Sequence, residues 1–357
     1  MFSFLEILKQ TMDLGASDIF IVAGKPLSYK KGKMIYQLNE EKVMPDYSRH
    51  LVEEAYNLAQ RELTRLAADG DDDFALSVPN LARLRISCYK QRGSLAAVLR
   101  IVAYGIPNYQ SIGIPEQVLA LANQKKGLIL VTGSAGNGKS TTLACILQRI
   151  NETRSNHIIT LEDPIEFLYR NEKSIFSQRE IGLDTANFVT ALRSSLRQSP
   201  DVILVGEMGD YETIQISMAA AETGHLILST LHTVGAVNTI DRIIDIFPPN
   251  QQQQVRIQLS MVLKTVVSQQ LIPAIDDTLI PVFEIMHMNN AVRNMIRDSK
   301  VHQIESVIGM SGEEGMVSMD NSLYELVLNG KILAETALQY ALHPELLDKR
   351  IRMNLKR

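Results

Sequence analysis

The chain has 357 residues, 45% of them hydrophobic and 21% charged, which fits a globular protein long enough for two domains and excludes a fibre or a disordered tail. Its 36 basic and 40 acidic residues leave a net charge of −4, so the total advertises no nucleic-acid partner and none is expected. Two cysteines, Cys88 and Cys145, sit far apart in apolar or strand-like sequence and read as small packed residues rather than a disulfide or zinc site.

The amphipathic opening MFSFLEILKQTM carries Glu6 and Lys9 and is no signal peptide; with no long apolar run either, a cytoplasmic protein is expected. Helical segments over 3–13 and 48–68 accompany short strand-like runs, DIFIVAG, KGKMIYQL, FALSV, ARLRISCY and LAAVLRIV. The last three are separated by turn residues, which predicts an antiparallel meander with helices on one face over residues 1–104. AYGIPNYQSIGIP holds two prolines and two glycines, and residues 105–114 read as an interdomain linker. From 115 to 357, LILVT, HIITLE, DVILVGE, HLILSTLH and IPVFEIM alternate with amphipathic helices, which predicts an α/β domain with a mostly parallel sheet. The last stretch of the chain reads as helical, ending in the basic DKRIRMNLKR.

The second domain opens on chemistry. Residues Gly133, Ser134, Ala135, Gly136, Asn137, Gly138, Lys139 and Ser140 match the G-x-x-x-x-G-K-[ST] pattern of a P-loop, with Thr141 following. A phosphate chain needs backbone N–H groups aimed inward from a tight turn, which glycines permit. Lys139 would reach the terminal phosphates and Ser140 would offer its hydroxyl to Mg²⁺. The apolar GLILVT precedes the loop and the helical KSTTLACILQRI follows it, so the helix N-terminus faces the phosphates. ATP with Mg²⁺ is the expected ligand.

Hydrolysis also asks for carboxylates at the carboxyl ends of neighbouring strands. HIITLEDPIEF supplies Glu162 and Asp163, and DVILVGEMGD supplies Glu207 in a Walker B pattern, the second expected Mg²⁺ ligand after Ser140. His225 and His232 bracket HLILSTLH seven residues apart, so they face opposite sides of one strand and suit no shared metal. His232, whose loop end carries Thr230 and Thr233, is the expected sensor of the γ-phosphate.

GSAGNGKSTT, ITLEDPIEF, SQREIGLDT, ALRSSLRQSPDVILVGEM, AAETGHLILSTLHT, IDRIIDIFPPNQ and AVRNMIR follow one another between residues 133 and 297. In order and spacing they resemble the type IV pilus retraction ATPases, of the PilT and PilU kind, within the secretion ATPase superfamily. The resemblance implies a PAS-like N-terminal domain, a RecA-like ATPase domain and a homo-hexameric ring. The implied partners are an inner-membrane pilus platform protein and a paralogous pilus ATPase, and the implied work is pilus disassembly for twitching motility, at the cytoplasmic face of the inner membrane. It assigns Glu162 to water activation and Glu207 to the Walker B glutamate near Mg²⁺, puts His225 and His232 in the family's His box, and draws phosphate-reaching arginines from the region of Arg83, Arg85, Arg92 and Arg100. Arg92 and Arg100 are the expected catalytic pair. AVRNMIR is the expected coupling helix, with Arg293 and Arg297 exposed.

One departure matters: the family's G-E-M-R-D has Gly209 in place of the arginine, removing a charge near the site. It keeps open an alternative, a nucleotide-binding accessory ring component with weak or no hydrolysis. A RecA-like nucleic-acid translocase is a third reading, disfavoured by the charge balance. Only two cysteines, and a short N-terminal region, set the chain apart from extension and secretion ATPases with their four-cysteine zinc module.

Overall fold

The computed structural model describes residues 2–32, 34–79, 81–102, 105–276 and 278–355. Met1, Lys33, Asn80, Ala103, Tyr104, Asp277, Lys356 and Arg357, which fall in segments singled out above, lie outside them. The chain divides into two compact units, Met1–Gly105 and Ile106–Arg357.

The first unit runs α1 (Phe4–Asp13), β1 (Asp18–Ile21), β2 (Pro26–Lys31), β3 (Met34–Lys42), α2 (Pro45–Leu58), α3 (Thr64–Asp69), β4 (Asp71–Val78), β5 (Ala82–Gln91) and β6 (Ser94–Val102). Its antiparallel sheet has the order β3-β2-β1-β6-β5-β4. Strict alternation makes β5 one-sided: Ala82, Leu84, Ile86 and Cys88 are buried, while Arg83, Arg85 and Ser87 face away. The buried face shares one core with Phe4, Ile7 and Leu8 of α1 and Leu51, Val52, Ala55 and Tyr56 of α2. A capping box starts α1: Ser3 Oγ accepts from Glu6 N–H, and Ser3 N–H donates to the Glu6 carboxylate at 2.8 Å. The helix read over 48–68 is interrupted, because Gln60 takes a left-handed φ of 53° between α2 and α3. The strand β2 is an addition to the expected set, its proline and paired lysines having hidden it.

The second unit runs α4 (Glu116–Leu119), β7 (Gly127–Thr132), α5 (Lys139–Thr153), β8 (His157–Glu162), β9 (Ile175–Glu180), α6 (Phe188–Ser195), β10 (Val202–Val205), α7 (Tyr211–Glu222), β11 (Leu226–Leu231), α8 (Ala236–Asp245), α9 (Pro249–Val262), β12 (Leu263–Pro273) and β13 (Leu279–His287). Then α10 (Asn290–Arg297), α11 (Ile304–Met310), α12 (Met319–Leu328), α13 (Ala334–Tyr340) and α14 (Pro344–Leu355) complete it. The sheet order is β13-β12-β7-β11-β10-β8-β9, parallel except for β13. Helices on both faces bury β7, β10 and β11 at every position, which is why these strands read as unbroken apolar runs. The fold is α/β with a mostly parallel sheet, preceded by the antiparallel unit. Ile106, Tyr109 and Ile112, within the stretch read as a linker, pack against the core of this second unit. β9 and β12 were not legible in advance.

Candidate active site

Six parallel strands, β7 to β12, end on one edge of the sheet, and the candidate site's side chains collect there. The P-loop leaves the central β7 and closes on Gly138, which caps α5 with φ 78° and ψ 18°, left-handed values that favour glycine. Gly133 is required by proximity as well: a Cβ there would collide with the backbone carbonyl oxygen of Gln269 on β12. β12 clamps the loop further, with Leu271 N–H donating to Asn137 Oδ1 at 3.1 Å and Thr142 Oγ1 donating to Gln269 Oε1 at 2.6 Å. Gln269 and Leu271 had no signal in the sequence.

Lys139 Nζ donates to the carbonyls of Gly133, at 2.8 Å, and Ser134, at 3.0 Å. Burial holds its pKa below the ordinary lysine value, against the pull of Glu207 and Glu166. The ammonium is also 3.5 Å from His232 Nδ1, and His232 Nε2 is 3.7 Å from the Glu207 carboxylate. Lys139, His232 and Glu207 therefore form a line across the ends of α5, β11 and β10.

Glu162 ends β8, next to β10, and is only 8% exposed. Burial pushes its carboxyl up to about 7. The cover is the segment after it, where Pro164, Phe167 and Tyr169 line the same cleft as Lys139, Ser140 and Glu207. Gln178 of β9 pins that segment: it donates to Phe167 O at 2.8 Å, accepts from Tyr169 N–H at 3.1 Å and reaches Glu162 Oε1 at 3.5 Å. Gln178 is a positioning residue that sequence reasoning missed.

The cleft takes Ala135, Gly136, Lys139, Ser140, Glu162, Glu207 and His232 together. His225 lies at the opposite end of β11, about 23 Å along the strand, where its Nδ1 contacts Ala220 O at 3.0 Å. Thr141, one residue into α5 from Ser140, is half-buried. At Gly209, a Cβ would stand 2.9 Å from Glu207 Oε1, so the glutamate's mobile end uses room that a side chain would claim.

The arginines belong to the first unit. Arg92 forms the β5–β6 hairpin turn with Gly93, at φ 50° and 81°. Arg100 is near the far end of β6, its Nε 3.0 Å from Asp18 Oδ1. Eight residues of strand, about 26 Å, separate the two. Arg83 donates to Ser77 Oγ at 3.2 Å, and Arg85 is exposed opposite Arg100. In α10, Val292 and Ile296 are buried and Arg297 is exposed. Arg293, expected to be exposed, is half-buried and holds α9 by donating to Ser260 O at 3.0 Å.

The family model for type II/IV secretion system proteins matches residues 3–307. The type IV pilus retraction ATPase PilT of Pseudomonas aeruginosa is 40% identical over 340 residues, 95% of this chain and 98% of its own. The type IV pilus ATPase PilU of the same organism is 38% identical over 339 residues, 95% of this chain and 88% of its own. The crystal structure of the pilus retraction motor PilT with bound ADP superposes with a TM-score of 0.91 at 42% identity, covering 98% of this chain and all of that one.

Proposed function

The chain belongs to the type II/IV secretion system protein family, among the type IV pilus retraction ATPases, and from that premise we propose that it is a ring motor whose ATP hydrolysis drives pilus disassembly. The observation that carries the reading is the meeting of Lys139, Ser140, Glu162, Glu207 and His232 in one cleft at the carboxyl edge of a parallel sheet.

Lys139 neutralises the terminal phosphates of ATP, and the P-loop amides from Gly133 to Thr141 cradle them. A Mg²⁺ ion fits the donors present: the Ser140 hydroxyl and the half-exposed Glu207 carboxylate are hard oxygens, and among the described residues no group of three or more His, Cys, Asp or Glu exists to hold a metal by protein alone. Such sparse protein ligation suits Mg²⁺, which keeps waters and shares phosphate oxygens. Bound there, the ion would neutralise charge developing on the β- and γ-phosphates. Glu162 takes the proton as the water oxygen bonds to the γ-phosphorus and the bond to the β–γ bridging oxygen breaks. A base with a pKa near neutrality suits that task, being ionised often enough and basic enough. His232, held between Lys139 and Glu207, shifts when phosphate draws the ammonium away. An arginine of the first unit, Arg92 or Arg100, completes the charge neutralisation.

The assembly is a homo-hexamer that acts on an inner-membrane platform protein from the cytoplasmic face, alongside a paralogous pilus ATPase. Among the described residues no helix is long and apolar enough to cross a membrane, which fits peripheral attachment. In a strain lacking the protein, wild type should restore pilus retraction and Glu162→Gln should not, although the variant still binds ATP. Retraction restored by Glu162→Gln would refute the motor reading. Gly209 favours a second reading, an accessory ring component with weak or no hydrolysis. Steady-state ATP turnover by the pure protein separates the two.

A further inference from the structure

In the first unit, strands β2 and β3 form a hairpin at the edge of the sheet, and its burial changes along its length. Pro26 and Leu27 are buried at its base, Ser28 to Lys30 are half-buried, and Lys31 is exposed. On the returning strand Met34, Ile35 and Tyr36 are 62%, 61% and 46% exposed. Tyr36 stacks on Tyr29 across the hairpin, ring centroids 5.6 Å apart.

Successive strand residues point to opposite faces. Three large apolar side chains in a row, all exposed, therefore mean that the hairpin end is bare on both faces. A long edge strand of this kind is an aggregation hazard unless something covers it. Its charge is as one-sided as its burial. Between Asp18 and Glu40 the sequence holds Lys25, Lys30, Lys31 and Lys33 and no acid, in a chain whose net charge is −4. Asp18, paired in register with Lys30, gives its carboxylate to Arg100. The acids Glu40 and Glu41 are six and seven residues from Met34, at the base of the hairpin and about 20 Å from its apolar end.

We propose that this hairpin end is a lipid-contact site, inserting Met34, Ile35 and the Tyr29–Tyr36 pair into the headgroup region of an anionic bilayer while Lys30 and Lys31 meet the lipid phosphates. Apolar side chains beside lysines suit an interface that is greasy at one depth and negatively charged at the next. Stacked tyrosines match the preference of amphipathic rings for headgroup depth. A protein partner pairing along the edge strand would cover one side of it, whereas a fluid interface surrounds a protruding tip and buries both faces at once. The negative surface potential of an acidic leaflet also selects this part of an otherwise acidic chain.

The test is co-sedimentation of the full-length protein with phosphatidylcholine vesicles, with and without phosphatidylglycerol. Wild type should pellet with the phosphatidylglycerol vesicles, less so at high salt, and not with phosphatidylcholine alone. Lys30→Glu/Lys31→Glu should weaken this binding at least tenfold, about 1.4 kcal/mol in all. Ile35→Ser, which reverses no charge, should weaken it severalfold while ATP turnover stays at the wild-type level, reporting an intact fold. Failure of wild type to pellet, or equal pelleting by wild type and both variants, would overturn the proposal and leave the edge strand to a protein partner.

Discussion

Glu162 and Glu207 follow adjacent parallel strands of one sheet, and both point to the same cleft, yet they live in different media. Glu162 is 8% exposed with its pKa pushed to about 7, whereas the Glu207 side chain is 49% exposed. Glu162 is the last residue of β8, whereas Glu207 stands two residues beyond β10 and one position further out in register, and the cover adds to that difference. The segment from Pro164 to Tyr169, pinned by Gln178, closes over one carboxyl; Gly209 leaves open room beside the other. A buried carboxyl near neutrality can take a proton and an open one can share a cation, and this division of labour needs both environments.

The largest effect should come from Glu162→Gln, which removes the base but not the phosphate cradle. ATP turnover should fall at least a hundredfold, about 2.7 kcal/mol of barrier, with ATP affinity changed by less than about threefold. Equal losses of affinity and turnover would erase the contrast between the two glutamates.

A second consequence is a stability that depends on pH. Because the folded state holds the Glu162 proton from the ordinary 4.5 up to about 7, it binds more protons than the unfolded chain across that window. Stability is therefore highest below pH 4.5 as far as this group is concerned, and falls by on the order of 3 kcal/mol as pH rises through 7. Denaturant unfolding at several pH values should show that loss in wild type and not in Glu162→Gln.

Glu207→Gln should behave differently on both counts. It should raise the Mg²⁺ concentration needed for half-maximal turnover about tenfold, about 1.4 kcal/mol, while leaving the pH dependence of stability intact. Smallest is Gln178→Ala, which removes the bonds that hold the cover. A loss of about 1 kcal/mol in unfolding free energy, with a lower turnover, is expected; an unchanged turnover would show that the cover needs no pin.

Much of this site is legible from local pattern. The glycine spacing announces the P-loop, the apolar runs β7, β10 and β11 announce buried parallel strands, and Glu162 and Glu207 stand out as the acids that end such runs. His225 and His232, which bracket the apolar run in the sequence, stand at opposite ends of β11. Long-range contacts left no such trace. β12 continues from α9 with no turn residue between Val262 and Leu263, so neither the strand nor the clamp made by Gln269 and Leu271 could be read. β9 is half-exposed and polar, which hides Gln178. The contrast between the two glutamates is itself invisible in sequence, because burial depends on a loop folding back.

The most direct test is the pH dependence of single-turnover ATP cleavage at saturating ATP and Mg²⁺, compared between wild type and Glu162→Gln. The account predicts a wild-type rate that rises through an apparent pKa of about 7 and a residual rate in the variant that does not change with pH across that range. A wild-type rate that is flat from pH 5 to 9, or a variant that keeps the same midpoint, would contradict Glu162 as the base.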